Sequence, residues 1–180
     1  MYQILEKRRL SSNVVLLVID APYVAKKAEP GQFIILRVDA DGERIPLTIS
    51  AYDRKKGTIT IVVQEVGATT MKLGQMNQGD CLHDFVGPLG KASEFDGIKK
   101  AAVVGGGLGC AIALPQAQKL HDMGVDVDLI AGFRNTDAII LEDEMKGACS
   151  RLTLVTDDGS NGHKGFVTDL FDPADFDVVV

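Results

Sequence analysis

The hydrophobic pattern of this chain changes character once. Up to about residue 92 it consists of short aliphatic and β-branched runs separated by turn residues: 14–19, 32–38 after Pro30-Gly31, 44–50, 57–64 after a polar turn at 53–56, and 81–86 between Gly79-Asp80 and Gly87-Pro88. Runs of this length with regular Gly, Pro and Asp punctuation predict five or six strands forming a small antiparallel barrel. Only 70–76 reads as helical there. After Asp96-Gly97 the rhythm lengthens. Strands are predicted at 99–104, 125–131, 152–156 and 176–180, with helices from the glycine cluster to about 123, at 141–147 and at 165–170. Strands alternating with helices imply parallel βαβ units with right-handed crossovers. The boundary falls within 92–98, giving two domains, 1–96 and 97–180. No internal repeat or low-complexity segment interrupts either. The last strand runs off the end at Val180, so the expectation is a C-terminally truncated chain.

Composition narrows the class. The 180 residues are 46% hydrophobic and 24% charged, as in a folded globular chain. A net charge of −6, spread along the chain, argues against nucleic acid as a partner. The most apolar stretch, 101–115, is short and broken by glycines, so no membrane span is predicted. The N-terminus lacks the apolar segment of a signal peptide, which makes a cytoplasmic location the expectation. Cys81, Cys110 and Cys149 have neither metal-knuckle nor disulfide spacing and are expected to be buried thiols; no metal site is predicted.

The candidate chemistry concerns anions. Arg44-Ile45-Pro46-Leu47-Thr48-Ile49-Ser50 opens a strand with a guanidinium, which needs an anionic partner if it is desolvated. Gly67-Ala68-Thr69-Thr70 opens the barrel's one helix, with Thr69 or Thr70 expected as N-cap and free N–H groups behind it. Two such positive features suit a diphosphate. Gly105-Gly106-Gly107-Leu108-Gly109 follows a strand and precedes a helix, where backbone N–H groups can receive a phosphate, although Cys110 stands where a dinucleotide fingerprint needs glycine. Arg134, past the second strand, meets either a 2′-phosphate or an adenine. In Thr156-Asp157-Asp158-Gly159 the acids either bond a sugar or cap a turn. Glu142-Asp143-Glu144 reads as a solvated helix start, and His83, His121 and His163 lack ligand partners at useful spacing.

Together, Arg-Ile-Pro-Leu-Thr-Ile, Gly-x-Thr-Thr, Gly-Pro-Leu-Gly, Gly-Gly-Gly-x-Gly and Thr-Asp-Asp-Gly resemble the ferredoxin–NADP reductase superfamily. Within it the chain is similar to the FAD-carrying small subunit of NADH-dependent ferredoxin:NADP oxidoreductases, with Leu-Glu-Asp-Glu-Met as a further match, and to the electron-transfer subunit of dihydroorotate dehydrogenase. The resemblance implies an FAD-binding barrel followed by a Rossmann-like NAD(P)-binding domain, incomplete at its C-terminus. It assigns Arg44 to the FAD phosphates, places Pro46, Leu47 and Thr48 beside the isoalloxazine, and sets Thr48 near N5 as the catalytic position. Val63 and Gln64 are expected at the ribityl and adenosine parts, Gly67, Thr69 and Thr70 at the pyrophosphate. Gly105, Gly107, Leu108 and Gly109, aided by Arg134 and Asp158, are expected to hold NAD(P). Ile112 replaces a proline usual after the glycine cluster. A [2Fe–2S] cluster is expected only in a cysteine-rich segment beyond Val180. The implied activity is electron transfer between NAD(P)H and an iron–sulfur centre or ferredoxin through FAD, in complex with a larger iron–sulfur flavoprotein subunit. The alternatives are a dihydroorotate dehydrogenase subunit, a free-standing flavin reductase, and a non-enzymatic nucleotide-binding redox module.

Overall fold

A computed structural model describes residues 2–180. The chain divides into two compact units, Met1–Ser93 and Glu94–Val180.

The first unit is antiparallel. Its strands are β1 (Tyr2–Ser11), β2 (Val14–Asp20), β3 (Phe33–Arg37), β4 (Ile45–Thr48), β5 (Ala51–Asp53), β6 (Thr58–Gln64), β7 (Cys81–Leu82) and β8 (Asp84–Leu89), with short helix α1 (Pro22–Ala25) and helix α2 (Ala68–Gln75) between them. They form two sheets, ordered β5-β6-β2-β1-β7 and β4-β3-β8. The strand expected at 44–50 is shorter, as β4, with β5 following it outside that range, and β1 is a strand that the hydrophobic pattern does not announce. Its pairing with β2 shifts register between Ile4 and Glu6 and again between Arg9 and Ser11. Each shift changes the face on which later side chains lie, which erases simple alternation. Only Ile4 of β1 is fully buried, so the remaining residues are free to be charged.

The other long strands each turn one face to a shared core. Val15, Leu17 and Ile19 of β2, Ile34 and Leu36 of β3, and Ile59, Ile61 and Val63 of β6 all point into one core with Ile49, Leu73, Leu82 and Phe85. Burying such side chains contributes about 1.5–3 kcal/mol each relative to exposure. This core fixes the register of the β3–β4 pair, in which Phe33 faces Thr48, Ile34 faces Leu47, Ile35 faces Pro46 and Leu36 faces Ile45.

The second unit holds a parallel sheet of β9 (Lys100–Gly106), β10 (Asp126–Phe133), β11 (Arg151–Thr156) and β12 (Val178–Val179), in the order β11-β10-β9-β12. Helix α3 (Cys110–Asp122) connects β9 to β10, and α4 (Glu142–Gly147) precedes β11. The antiparallel-then-parallel architecture is the one expected. The helix expected at 165–170 is only a 3-10 turn, Val167–Asp169, in which the Asp169 carboxylate accepts from the Phe166 N–H at 3.0 Å and so closes a single turn. Strand β10 is buried on both faces from Val127 to Ala131, as a central parallel strand requires. The order reverses at β9, since β10 lies on one side of it and β12 on the other. Ligands of open parallel sheets bind beyond the carboxyl ends of the strands.

Among the described residues, no helix is long and apolar enough to cross a membrane, and no cluster of three or more His, Cys, Asp or Glu is arranged to hold a metal.

Candidate functional site

The first unit brings the start of β4 to the start of α2. The Thr69 hydroxyl donates to the Glu43 carboxylate, and Lys72 on the next turn pairs with Asp39, so the loop leading to Arg44 is tied to the helix at two points. Lys72 holds the Asp39 carboxyl below the ordinary carboxylate range, chiefly through that hydrogen bond. At the other end of α2, Lys7 of β1 donates to the carbonyls of Gly74 and Met76, both at 2.7 Å, and so satisfies the C-terminus.

The N-terminus of α2 differs from the expectation. Neither Thr69 nor Thr70 is the N-cap; Gly67 is, in an extended conformation and with no side chain to block the first turn. The helix starts earlier than predicted because Thr70, at its third position, turns its hydroxyl back to accept from Val66 and Gly67 N–H groups at 3.1 and 3.0 Å. That is the reciprocal half of a capping box. The first intrahelical bond is Met71 N–H to Gly67 C=O, which leaves the N–H groups of Ala68, Thr69 and Thr70 ahead of the ladder. A Cβ built on Gly67 meets nothing within 4 Å, so the space above this helix end is open. The end thus fits a phosphate on both geometry and dipole.

Arg44 precedes β4, its side chain 59% exposed, with one guanidinium nitrogen 2.9 Å from Asp84. Asp84 is also ion-paired with Arg37, whose Nε lies 2.8 Å away. Asp84 is a residue that the sequence pattern does not single out; two arginines sharing one carboxylate carry an excess positive charge, and Arg44 keeps donors free for a further anion. Pro46 is exposed, and Leu47, Thr48 and Gln64 are half-buried, whereas Val63 is buried with its side chain in the core. Val63 therefore has only its backbone to offer a ligand.

In the second unit the glycines separate into two roles. A Cβ on Gly105 would stand 2.9 Å from Cys110 Cα and 3.1 Å from Cys110 N, so Gly105 permits the close approach of strand to helix. Gly106, Gly107 and Gly109 meet nothing within 4 Å, and Gly107 adopts φ +52°, a conformation glycine takes without strain. A 3-10 turn, Gly107–Gly109, runs directly into α3. The open side of these glycines joins a cavity of about 510 Å³ whose lining includes Gly106, Gly107, Gly132, Arg134, Asp157 and Phe166. Gly105, Leu108 and Gly109 border the turn without lining that cavity.

The cavity's far wall is prebuilt. Asp157 N–H donates to Phe133 C=O at 3.0 Å, and Thr136 is bonded to Ser160 Oγ through its N–H at 2.8 Å and its hydroxyl at 2.9 Å. Of the acids after β11, Asp157 lines the cavity, while the expected Asp158 is engaged in its own turn, accepting from Ser160 N–H at 2.9 Å. The Ser160 hydroxyl and N–H hold the Asp158 carboxyl below its ordinary range. The letters of Thr-Asp-Asp-Gly do not say which acid turns inward. Phe166 is a second residue that sequence reasoning missed; its one signal is an aromatic side chain inside a polar, glycine-rich loop.

Cys110 opens α3, where the helix dipole favours a thiolate, but burial wins and pushes its pKa up to about 12. Burial also raises Cys149. Cys81 is only half-buried, against the expectation for it. Iodoacetamide at pH 8 is therefore expected to label Cys81 first in the native chain, read by peptide mass spectrometry; equal labelling of all three would contradict the burial.

Residues 1–93 match the family model of the oxidoreductase FAD-binding domain. The chain belongs to this family. This FAD-binding family member is 41% identical over 170 residues to the dihydroorotate dehydrogenase B electron transfer subunit homolog of Thermotoga maritima, covering 94% of this chain and 60% of that protein. It is 33% identical over 178 residues to the dihydroorotate dehydrogenase B electron transfer subunit of Streptococcus mutans, covering 96% of this chain and 68% of that one. A solved chain of an NADH-dependent reduced ferredoxin–NADP oxidoreductase superposes with a TM-score of 0.88 at 38% identity, over 94% of this chain and 61% of that chain. The FAD-binding chain thus spans about 60% of the length of its Thermotoga relative.

Proposed function

We propose that this chain is the flavin- and nucleotide-binding part of an electron-transfer subunit, with residues 1–96 holding FAD, residues 97–180 holding NAD(P)H, and an iron–sulfur centre or ferredoxin as the electron acceptor. The observation that carries the reading is the cavity in the second unit, where open glycines, a cation and an acid line one strand-end pocket, in a chain whose first unit belongs to an FAD-binding family. FAD, when bound, supplies the chemistry that accepts a hydride at N5 and releases electrons singly. The chain's own residues do the holding. Arg44 and the start of α2 receive the pyrophosphate, with the N-cap Gly67 leaving the room and Thr69 and Thr70 supplying N–H groups. Pro46, Leu47 and Thr48 flank the isoalloxazine, Thr48 at N5, and the backbone of Val63 and Gln64 meets the ribityl and adenosine parts. Gly105 sets the strand-to-helix approach, while Gly107, Leu108 and Gly109 present the turn to the nucleotide phosphates. No general base is needed, because the transfer requires alignment rather than proton abstraction.

Anaerobic addition of NADH to the chain reconstituted with FAD is expected to bleach the flavin, and added ferredoxin to restore its colour. A chain that gives no flavin spectrum with added FAD sinks the reading. The likeness to the Streptococcus subunit favours a second reading, in which the acceptor is a dihydroorotate dehydrogenase subunit. Reduction of orotate only when that subunit is present would select it. A larger iron–sulfur flavoprotein is the partner under the first reading.

For coenzyme choice, Arg134→Ala is compared with the wild type on NADH and NADPH. Loss of about tenfold confined to NADPH assigns Arg134 to a 2′-phosphate, at the scale of one charge-assisted hydrogen bond. Equal loss on both removes that role.

A further inference from the structure

Within the first unit, residues 20–29 and 53–57 carry five basic against three acidic side chains, in a chain whose total is 19 against 25. The two segments adjoin. Ala21 N–H donates to Gly57 C=O at 3.0 Å, and a Cβ built on Gly57 would stand 2.9 Å from Pro22 Cβ, so α1 lies directly against the β5–β6 turn. Arg54 of that turn pairs with Glu29 and donates to Ala28 C=O at 2.8 Å. The Asp53 carboxylate accepts from the Lys55 and Lys56 N–H groups at 2.8 and 2.9 Å. Two of the three acids are thus engaged within the corner, and the third, Asp20, ends β2.

The lysines are not engaged in this way. Lys26, Lys27 and Lys55 are exposed and have no acidic partner among the described residues, and Lys56 Nζ lies 3.9 Å from Asp53. On the same helix Tyr23, at 88%, is the most exposed large hydrophobic side chain among the described residues. Its exposure has a packing cause. Val24, Ala25 and Ala28 are buried in the core, which turns Pro22, Tyr23, Lys26 and Lys27 outward from a fixed base.

We propose that this corner attaches the chain reversibly to an anionic lipid surface. Charge complementarity and side-chain type carry the choice of occupant. Protein interfaces are depleted in lysine and rely on clustered aromatic and arginine anchors, and the corner's one arginine is already engaged by Ala28, Glu29 and the Tyr52 ring. Clustered lysines instead follow lipid phosphates, and a lone tyrosine seats its ring at headgroup level with its hydroxyl in water. The remainder of the chain, being acidic, is repelled by the same surface, so contact is confined to this corner.

The test sediments the full chain with vesicles of phosphatidylcholine alone and of phosphatidylcholine with about one-third phosphatidylglycerol. Binding is expected only to the anionic vesicles at low salt, and is expected to be lost at about 1 M salt, where screening acts within about 3 Å. Each lysine is expected to contribute about fivefold, so the double variant Lys26→Gln, Lys27→Gln binds roughly twentyfold more weakly. An unchanged melting temperature shows that this variant is folded. Because the sequence contains no tryptophan, Tyr23→Trp introduces a sole indole, whose emission is expected to shift to the blue on anionic vesicles. Wild-type chain that stays in the supernatant with anionic vesicles at low salt overturns the proposal, as does binding that survives loss of the two lysines. Binding to polyglutamate as tight as to vesicles, with no blue shift on either, assigns the corner to an acidic protein and overturns the lipid surface.

Discussion

Gly105→Ala is expected to destabilise the second unit, and Gly106→Ala to leave its stability unchanged while weakening NAD(P)H binding. The two positions are neighbours, yet their surroundings are opposite. A Cβ at Gly105 would enter 2.9 Å from Cys110 Cα and 3.1 Å from Cys110 N. Neither is the tip of a flexible side chain, so strand or helix must move. Overpacking of this kind costs about 1–3 kcal/mol, and each kcal/mol lowers the melting temperature of a domain this size by roughly 4–8 °C. Gly106 has nothing within 4 Å of the same atom, and its backbone is extended, at φ −129°, where alanine sits without strain. Its methyl group would instead project into the space where a phosphate must approach the backbone. Displacing one charge-assisted hydrogen bond there weakens binding by about tenfold or more. Thermal melts and NADH titrations of both variants give the check. If Gly106→Ala binds NADH as the wild type does, the glycine turn is not the phosphate cradle.

These glycines also show how much the sequence could tell. A glycine cluster between an apolar run and a helical stretch was legible as a strand–turn–helix junction, because strand, turn and helix each carry local signals. The division of labour within it was not, since Gly105 and Gly106 differ only in what the tertiary fold brings near them. The same holds for Asp157 and Asp158: both letters suit a sugar or a turn, and the Ser160 bond decides between them. Strand β1 escaped for a different reason. Two register shifts and a solvent-facing row of charges leave no period-2 pattern to read. Thr70 was legible as part of a helix start but misassigned as the cap, because a hydroxyl at the third helical position also bonds the entering backbone. Strands carried by continuous apolar runs between turn residues, such as β2, β3 and β6, were legible, since each has a face in the core.

Arg44→Ala is expected to cost FAD retention without unfolding the first unit. The side chain is 59% exposed, and its bond to Asp84 is a surface ion pair, a kind that contributes about 0–1 kcal/mol to stability. Removing it leaves Asp84 still paired with Arg37 at 2.8 Å, so no carboxylate is stranded. The consequence for an incoming diphosphate is larger. Arg37 remains neutralised by Asp84, the start of α2 supplies only partial charge, and Glu43 and Asp84 then stand near the phosphates without the guanidinium that offsets them. Loss of a charge-assisted bond of about 1.5–3 kcal/mol corresponds to roughly ten- to hundredfold weaker FAD binding. Arg44→Lys keeps the charge but not the planar fork, and is expected to fall between wild type and alanine. Flavin content after gel filtration and FAD titration of the apoprotein both read the effect, and an unchanged melting temperature in the apo state separates it from misfolding. Equal flavin content in all three proteins would remove Arg44 from the phosphate site and leave α2 as its sole candidate in the first unit.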